Sequence, residues 1–382
     1  MRDQTILVLG GGIGGVVAAN RLRKQLGRRH HVVLVDREPT FALAASFLWI
    51  MTGARRPGQI TRPLARLARK GIEVVQGEIE RFDPERREVT VAGRTVQADH
   101  VVVALGAEFA PETVPGLADA GLTFCTLDGA ERLRDALGRT RSGRIVVLTA
   151  APAYKCPAAP YEAAMLIDGL LRRRGLRSAV DLALHSAEPG PMGVAGPEAS
   201  AAVRGMVEQK GIRYQAEHLI ARAEPGRVLF TDGASADFDL LVYVPPIRPP
   251  RVLANSALVD ATGWVRVDRQ TMETRFPGVY AVGDVTMIPL AIGKPLPRAG
   301  VFAHAQAEVV ARNIASTIAG KTPSERFDGH GACFVETGSR RAGFGAGNFY
   351  AEPRPDVRMR RPGLFWHAGK VLFEKQVMWQ WL

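Results

Sequence analysis

A glycine-rich turn between two apolar strands constrains the fold of this 382-residue chain more than any other feature. The stretch "TILVLG" is typical of a short buried strand, "GGIGGVVAANRL" of a helix, and "HVVLVDRE" of the next strand. Gly10, Gly12 and Gly15 are spaced as G-x-G-x-x-G, and Asp36 ends the second strand. This spacing allows a tight turn, close approach of a pyrophosphate, close packing of helix on strand, and an acid for the ribose hydroxyls. It predicts a Rossmann-like unit that binds a dinucleotide.

The composition is that of a globular protein with more than one domain. Hydrophobic residues make up 46% and charged residues 23%, and a chain of this length is long for a single core. No run of about 18 apolar residues predicts a spanning helix, and a strand that starts by Thr5 leads us to expect no secretory signal. The net charge of +12 favours anionic partners. Because no module that reads nucleic acid is recognisable, we expect no nucleic acid partner.

Two later segments indicate which dinucleotide binds. The stretch "ADHVVVALGAEF" predicts a strand followed by Gly106, and "FPGVYAVGDVTMI" predicts a strand that leads to Gly283 and Asp284. A long helix that ends at Gly320 is predicted after the second segment. Both segments resemble the second and third FAD-binding motifs of flavoproteins with two dinucleotide-binding domains.

That resemblance implies FAD as the cofactor. It implies that Asp284 holds ribityl and pyrophosphate oxygens, and that the N-terminus of the long helix faces the flavin pyrimidine. It also adds Lys294 and Val301 to the cofactor-binding residues, beside Gly106 and Gly283.

The middle of the chain predicts a second Rossmann-like unit without a nucleotide loop. The strand "RIVVLTA", the helix "APYEAAMLIDGLLRRRG" and the strand "AVDLALHSA" follow in order. The turn after the first strand, "AAPAYKCPAAP", has no glycine and three prolines. Prolines lack the N–H that cradles a phosphate, and side chains block close backbone approach. We therefore expect no NADH at this second unit.

A cysteine occupies that turn instead. Cys156 is predicted at or just before the N-terminus of a helix over 158–172, where free N–H groups and the helix dipole would lower the pKa of its thiol. Lys155 adds positive charge. Glu162 is either a proton carrier for chemistry at the sulfur or an ordinary first-turn acid that the dipole favours.

The other cysteines are few and scattered. Cys125, Cys156 and Cys333 form no C-x-x-C, so neither a disulfide framework nor a metal site is expected. Because Cys156 and Cys333 flank the expected flavin position, we hypothesise that they form a redox-active pair. An inert buried thiol is the alternative for each.

Over nearly its whole length the chain resembles the family of sulfide:quinone oxidoreductases and flavocytochrome c sulfide dehydrogenases. The resemblance is carried by "LGGGIGG", "FCTLDGAERL", "YKCPAAPYE", "AVGDV", "LPRAGVFAHAQAEVVARNI" and "ACF". It implies an α/β fold with two Rossmann-like domains, as in glutathione reductase, and oxidation of hydrosulfide to polysulfide or zero-valent sulfur with a membrane quinone as acceptor. Cys156 and Cys333 would be the redox pair, Glu162 would handle protons, and Cys125 would match the third cysteine of the quinone-reducing branch.

The chain departs from the family at two histidines. Gly129 stands where quinone-reducing relatives often carry one, and "PMGVAGPEAS" has no match for the other. The stretch "REPTFALAAS" has no cysteine, which excludes the covalent flavin attachment of the cytochrome-linked branch. Three other functions stay open: sulfide dehydrogenase with a cytochrome subunit, type-II NADH:quinone oxidoreductase, and a flavoprotein without catalytic activity.

The C-terminal segment predicts contact with a membrane. Tryptophan and lysine together suit a membrane–water interface, although a helix docked on the protein or on a partner subunit is the alternative. The residues concerned are Trp366, Trp379, Trp381, Lys370 and Lys375. Phe334 and Phe365 are candidates for a quinone pocket. We expect a peripheral protein on the cytoplasmic face of the cell membrane, bound to acidic lipid, and leave a homo-oligomer open.

These segments define the expected domains. Residues 1–110 and 255–320 form the FAD-binding domain, 111–254 the second Rossmann-like domain, and 321–382 a small C-terminal region that faces the membrane.

Overall fold

The computed structural model describes residues 2–382, and two five-stranded parallel sheets dominate it. The first sheet has five strands, in the spatial order Val279–Ala281, His100–Val103, Thr5–Leu9, His31–Asp36 and Glu73–Gln76. Its central strand alternates between two cores. Ile6 and Val8 face the helices, whereas Leu7 and Leu9 face the opposite side. A strand buried on both faces reads as a continuous apolar run, as "TILVL" does.

Two helices cover one face of the first sheet. Ile13–Leu26 follows the glycine turn, and the long helix Gly300–Ile318 packs against it. The carboxyl ends of the parallel strands and the N-termini of both helices therefore meet along one edge, where open α/β sheets bind their ligands.

The second sheet repeats this plan. Its five parallel strands are, in spatial order, Gly121–Leu122, Leu240–Val244, Gly143–Thr149, Val180–His185 and Arg213–Gln215. The central helix Ala159–Arg173 packs on the face that bears Ile145 and Val147. The α/β prediction with two Rossmann-like sheets is confirmed, while the predicted domain bounds stay a prediction.

A three-stranded antiparallel sheet accompanies each parallel sheet. The first comprises Ile79–Asp83, Glu88–Val91 and Arg94–Gln97, and the second Ile220–Glu224, Arg227–Phe230 and Ser235–Asp237. Three short strand pairs join loops: Thr40–Ala42 with Thr61–Pro63, Glu108–Phe109 with Ile247–Arg248, and Val265–Arg266 with Thr286–Met287.

Shorter helices complete the two units. The α-helices are Phe47–Met51, Pro57–Ile60, Leu117–Ala120, Leu127–Arg139 and Pro197–Glu208. The 3-10 turns are Ala44–Ser46, Leu64–Lys70, Pro111–Thr113, Arg177–Ala179, Gly193–Ala195, Arg251–Leu253 and Gly283–Val285.

The C-terminal region folds back over both units. Its antiparallel sheet, His330–Gly338, Arg341–Asn348 and Asp356–Gly363, precedes the C-terminal helix Leu364–Gln380. The strand His330–Gly338 packs against the central helix, so the C-terminal region closes over the loop that carries Cys156. Within residues 2–382, no helix combines the length and apolar character needed to cross a membrane.

Candidate active site

The glycine turn leaves room for a phosphate. Gly10 has φ +104°, and a Cβ there would overlap the carbonyl oxygen of Ala104; one at Gly15 would overlap the carbonyl of Gly10. Gly12 has no atom within 4 Å of the position its Cβ would take. Asp36 accepts a hydrogen bond from the Gly11 N–H and so lies at the turn. This arrangement fits the pyrophosphate and ribose of a dinucleotide.

Positive charge converges on Asp284 at the same edge. A small cavity is lined by Gly283, Asp284, Thr286, Leu296, Pro297, Arg298, Ala299, Phe302 and Gln306. The Arg298 Nε donates to the Asp284 carbonyl at 3.0 Å, and the Lys155 ammonium lies 3.8 Å from the Asp284 carboxylate. The Arg298 guanidinium lies over the Trp264 ring, but its buried Nη2 has no hydrogen-bond partner among residues 2–382. An unpaired buried donor beside a cavity fits an anionic ligand group.

The remaining predicted cofactor residues, Gly106, Val301 and Lys294, do not all lie at this cavity. Gly106 has φ +69°, and the Lys155 ammonium lies 3.9 Å from the position of its Cβ. Val301 is half-buried in the first turn of the long helix. Lys294 is exposed, and its ammonium lies 3.6 Å from the Cβ position at Gly193, in the second unit rather than in the cavity.

The backbone at Cys156 is held from two sides. Cys156 lies three residues before the first residue of the central helix and has φ +57°. Its N–H donates to the Arg298 carbonyl at 2.8 Å, and its own carbonyl accepts from the Ala159 N–H at 2.9 Å. The cysteine loop is therefore joined to the segment that precedes the long helix.

The expectation of a low pKa at Cys156 is wrong for the free thiol. Burial raises the pKa of Cys156 well above its usual value, and the neighbouring Cys333 and Glu162 raise it further, while Lys370 opposes them. Burial and Glu162 likewise raise the pKa of Cys333 to about 12. Desolvation outweighs the helix terminus because the half-buried Cys156 packs against an apolar cluster rather than lying at an open helix end.

The three cysteines share one cluster as free thiols. Cys333 lies close enough to Cys156 to raise its pKa, and Lys370 lowers the pKa of both thiols. Cys125 is influenced by Lys155 instead of Lys370. Burial raises the pKa of its thiol to about 11, while a hydrogen bond with Thr123 and the charge of Lys155 act to lower it.

Glu162 lies in the first turn of the central helix, and its side chain points into a buried ion network. It is 2% exposed and accepts 2.8 Å hydrogen bonds from the Lys370 ammonium and the Glu336 N–H. These contacts are tertiary, which a first-turn acid stabilised by the dipole alone would not need. The network places a carboxylate and an ammonium beside Cys156 and Cys333.

Sequence reasoning missed three members of this network. Lys370, predicted to reach lipid, is 6% exposed, and that prediction is wrong. Burial lowers its pKa, but Glu162 and Glu336 outweigh burial and the pKa is raised. Glu336 is 1% exposed and lies 3.0 Å from the half-buried His367 Nδ1; burial raises the pKa of its carboxyl.

For Lys370, one of these three residues, a signal exists in the sequence. Lys370 and Glu374 share a helical stripe with the apolar Val377 and Trp381, at spacings of three or four residues. That stripe is the buried face of the C-terminal helix.

The tryptophans of the C-terminal helix have different environments. Trp381 is buried with its ring 5.5 Å from that of His304, so the prediction that it faces lipid is wrong. Trp366 is half-buried and stacks on Phe344. Trp379 is 86% exposed. The exposed apolar face of the helix consists of Leu364, Phe365, Leu372, Phe373 and Trp379, with Lys375 also exposed.

Phe334 and Phe365 stand at opposite ends of a row of rings. Phe334 contacts Phe344 at 5.2 Å between centroids, Phe344 stacks on Trp366 at 4.4 Å, and Trp366 meets Phe365 at 5.0 Å. Phe365 is exposed, whereas Phe334 is the neighbour of Cys333 in the strand. The row leads from the sulfur site to the exposed apolar face.

Gly129 leaves no space for a side chain. A Cβ there would overlap the Thr123 carbonyl and lie 2.8 Å from the Thr126 hydroxyl, which caps the helix by accepting from the Gly129 N–H. Local packing therefore explains why a glycine, and not the histidine of the quinone-reducing relatives, occupies position 129.

Comparisons with known proteins show which proteins this chain resembles. The model of the family described as "Pyridine nucleotide-disulphide oxidoreductase" matches residues 4–308. The sulfide-quinone reductase of Aquifex aeolicus is 27% identical over 397 residues, covering 98% of this chain and 90% of that protein. The mitochondrial sulfide:quinone oxidoreductase of Mus musculus is 22% identical over 364 residues, covering 91% and 79%.

A solved structure shows the same similarity. The X-ray structure of the sulfide:quinone oxidoreductase from Aquifex aeolicus matches with a TM-score of 0.89 and 26% identity, covering 99% of this chain and 91% of that one.

Proposed function

Because the chain belongs to the pyridine nucleotide-disulphide oxidoreductase family, we propose that it oxidises sulfide at Cys156 and Cys333 and passes the electrons through FAD to a membrane quinone. The names of its relatives in Aquifex and mouse support this substrate and acceptor. The observation that carries the proposal is the grouping of Cys156, Cys333, Glu162 and Lys370 in one buried site.

FAD is the cofactor. We assign its pyrophosphate to the turn at Gly10, Gly12 and Gly15, its ribose to Asp36, and its ribityl chain to Asp284. When bound, FAD accepts two electrons from the sulfur site and gives them to the acceptor.

The reaction begins at a disulfide between Cys156 and Cys333. Hydrosulfide attacks one sulfur, a new S–S bond forms, and the old one breaks, so one cysteine holds a persulfide and the other leaves as a thiolate. When the persulfide and the thiolate join again, an S–S bond forms and one proton and two electrons are released per hydrosulfide, and bound FAD would accept the electrons. Repeated exchange gives polysulfide or zero-valent sulfur as product.

The raised thiol pKa values make a proton donor necessary. A thiolate with a high pKa is a poor leaving group, and burial raises the pKa of Cys156 and Cys333. The Lys370 ammonium, held by Glu162 at 2.8 Å, is placed to supply a proton to the departing sulfur. Lys370 is thus the immediate proton donor, and Glu162, which accepts its hydrogen bond, is the carrier that passes the next proton to it.

The exposed apolar face is the proposed contact with the membrane. Five large apolar side chains lie on one side of the C-terminal helix, and the net charge of +12 favours acidic lipid. The row of rings from Phe365 to Phe334 would let a quinone approach from that face. We propose a peripheral protein on the cytoplasmic face.

Anaerobic titration of the FAD-loaded protein tests the function. Sulfide is expected to bleach the flavin absorbance and a soluble quinone to restore it, whereas NADH should leave it unchanged. The Cys156→Ser and Cys333→Ser variants, loaded equally with FAD, should not bleach with sulfide. Bleaching by NADH but not by sulfide would show the proposal to be wrong.

A further inference from the structure

The loop that carries Cys156 has little backbone support of its own. Residues 151–158 include Pro152 and Pro157, which have no N–H to donate. Cys156 itself has φ +57°, an unfavourable conformation for a residue with a Cβ. Such a conformation persists only where contacts around the loop hold it.

On one side, the loop is attached to the first unit. The Cys156 N–H donates to the Arg298 carbonyl, and the Lys155 ammonium lies 3.8 Å from the Asp284 carboxylate. These contacts fix the loop next to the cofactor cavity, while its two ends continue into the strand Gly143–Thr149 and the central helix of the second unit. They do not involve the side chains that lie between those two ends.

On the other side, a buried tyrosine attaches the loop to the second unit. The Tyr154 hydroxyl, two residues before Cys156, donates to the Glu188 carboxylate. Glu188 is itself fixed, because its carbonyl accepts from the Glu217 N–H at 3.1 Å and its N–H donates to the Ser186 hydroxyl at 3.2 Å. Tyr154 is 6% exposed, so this hydrogen bond is shielded from water.

The structure assigns Tyr154 and Glu188 as positioning residues that hold Cys156 within reach of Cys333. Neither residue belongs to the ion network of Glu162, and neither is placed to contact the reacting sulfurs. The assignment rests on the proposed function, since it concerns how readily the two cysteines join. Two thiols held in a productive geometry join far more readily than two that must be ordered first.

Thiol–disulfide exchange measures this effect directly. The FAD-loaded protein is equilibrated anaerobically with reduced and oxidised dithiothreitol. In that reaction the Cys156–Cys333 bond forms as the dithiothreitol disulfide breaks, and two protons and two electrons pass from the protein thiols to dithiothreitol. Alkylation and mass spectrometry then give the fraction of protein with the Cys156–Cys333 bond.

Tyr154→Phe removes the hydroxyl and keeps the ring. We expect the equilibrium constant for disulfide formation to fall about tenfold, which corresponds to about 30 mV for a two-electron couple. Glu188→Ala should give a similar fall. Glu188→Gln keeps an acceptor oxygen for the Tyr154 hydroxyl and should restore most of the wild-type constant.

Tyr214→Phe is the matched control. Tyr214 belongs to the same tyrosine cluster, with its ring 6.2 Å from that of Tyr161, and within residues 2–382 no hydrogen bond joins its hydroxyl to Tyr154 or Glu188. The equilibrium constant for disulfide formation in the Tyr214→Phe variant should equal that of the wild type.

The outcomes distinguish the positioning role of Tyr154 and Glu188 from the proposed redox pair of Cys156 and Cys333. If the wild type forms the disulfide and Tyr154→Phe and Glu188→Ala leave the constant unchanged, the positioning role is wrong while the cysteine pair stands. If the wild type forms no Cys156–Cys333 bond at any ratio of dithiothreitol, both proposals are wrong. Should Tyr154→Phe fail to fold or to bind FAD, the comparison of Glu188→Ala with Glu188→Gln decides: equal constants overturn the assignment.

Discussion

The Lys370 ammonium lies 2.8 Å from the Glu162 carboxylate, although 208 residues separate them in the chain. Both side chains are more than nine-tenths buried, and the pair joins the C-terminal helix to the helix that follows Cys156. A buried ion pair is costly to break from one side, because the remaining charge has no water to solvate it.

Lys370→Met is expected to destabilise the protein by about 3–5 kcal/mol, since it leaves the Glu162 charge buried without its cation. The double variant Glu162→Gln, Lys370→Met should be more stable than Lys370→Met alone, because it removes both charges. Urea unfolding of the FAD-loaded proteins measures the difference.

A surface pair provides the control for this prediction. Arg204 and Glu208 form an i,i+4 ion pair with side chains about half exposed, so Arg204→Met should lower the free energy of unfolding much less than Lys370→Met does. Equal losses at the buried and exposed pairs would contradict the prediction.

The pH dependence of thiol alkylation should follow the raised pKa values. Only the thiolate reacts, and a thiol with the ordinary pKa near 8.5 approaches a constant rate above about pH 9. The pKa of Cys125 is raised to about 11, with burial as the main cause. Its rate with iodoacetamide in the reduced protein should therefore rise about tenfold per pH unit from pH 7 to pH 10.

The two other thiols should behave alike, because burial also raises the pKa of Cys156 and of Cys333. The same peptides in urea give the reference curve of unfolded thiols. A rate for Cys156 that is already constant below pH 8 is the result that a thiolate stabilised by the helix terminus would give. It would count against the burial argument.

The contrast between the glycine turn and the C-terminal helix shows what the sequence can predict. The βαβ unit around Gly10 and Asp36 is a local pattern with one physical solution, and it is found at Thr5–Leu9, Ile13–Leu26 and His31–Asp36 as predicted. The position of Cys156 before the central helix follows from the same kind of local reasoning.

The pKa of Cys156 and the environment of Lys370 could not be predicted in this way. Both depend on which distant side chains close over the loop: Cys333 and Glu336 come from a strand more than 170 residues further along the chain. Desolvation then reverses the sign that the helix terminus predicts. Trp379 and Trp381 differ in burial for a related reason, since only the second lies on the stripe that packs on the protein.

The exposed apolar face gives a prediction for membrane binding. The triple variant Phe365→Ser, Leu372→Ser, Trp379→Ser should lose binding to vesicles at least tenfold, because each large apolar side chain that enters the membrane contributes about 1.5–3 kcal/mol when fully buried. Flotation with vesicles that contain phosphatidylserine measures it. FAD content should stay unchanged, since all three side chains are exposed.

A high salt concentration distinguishes vesicle binding through the apolar face from vesicle binding through the net positive charge. Binding through the net positive charge alone would be released at 0.5 M salt, where screening is strong, whereas binding through the apolar face should persist. Truncation of the C-terminal helix is a poorer test, because it also removes Lys370 and Glu374 from the core. Unchanged flotation of the triple variant would assign the contact to another surface.

Two glycines of one helix give the sharpest test of packing near Cys125. Gly129 and Gly138 both lie in Leu127–Arg139. A Cβ at Gly129 would overlap the Thr123 carbonyl, whereas one at Gly138 meets no atom within 4 Å.

Gly129→Ala should therefore destabilise the protein by about 1–3 kcal/mol through overpacking. Gly138→Ala should stabilise it by about 0.5–1 kcal/mol through helix propensity. Urea unfolding of the two variants side by side checks both signs. Equal effects would mean that the Thr123 carbonyl moves freely, and that packing does not prevent a histidine at position 129.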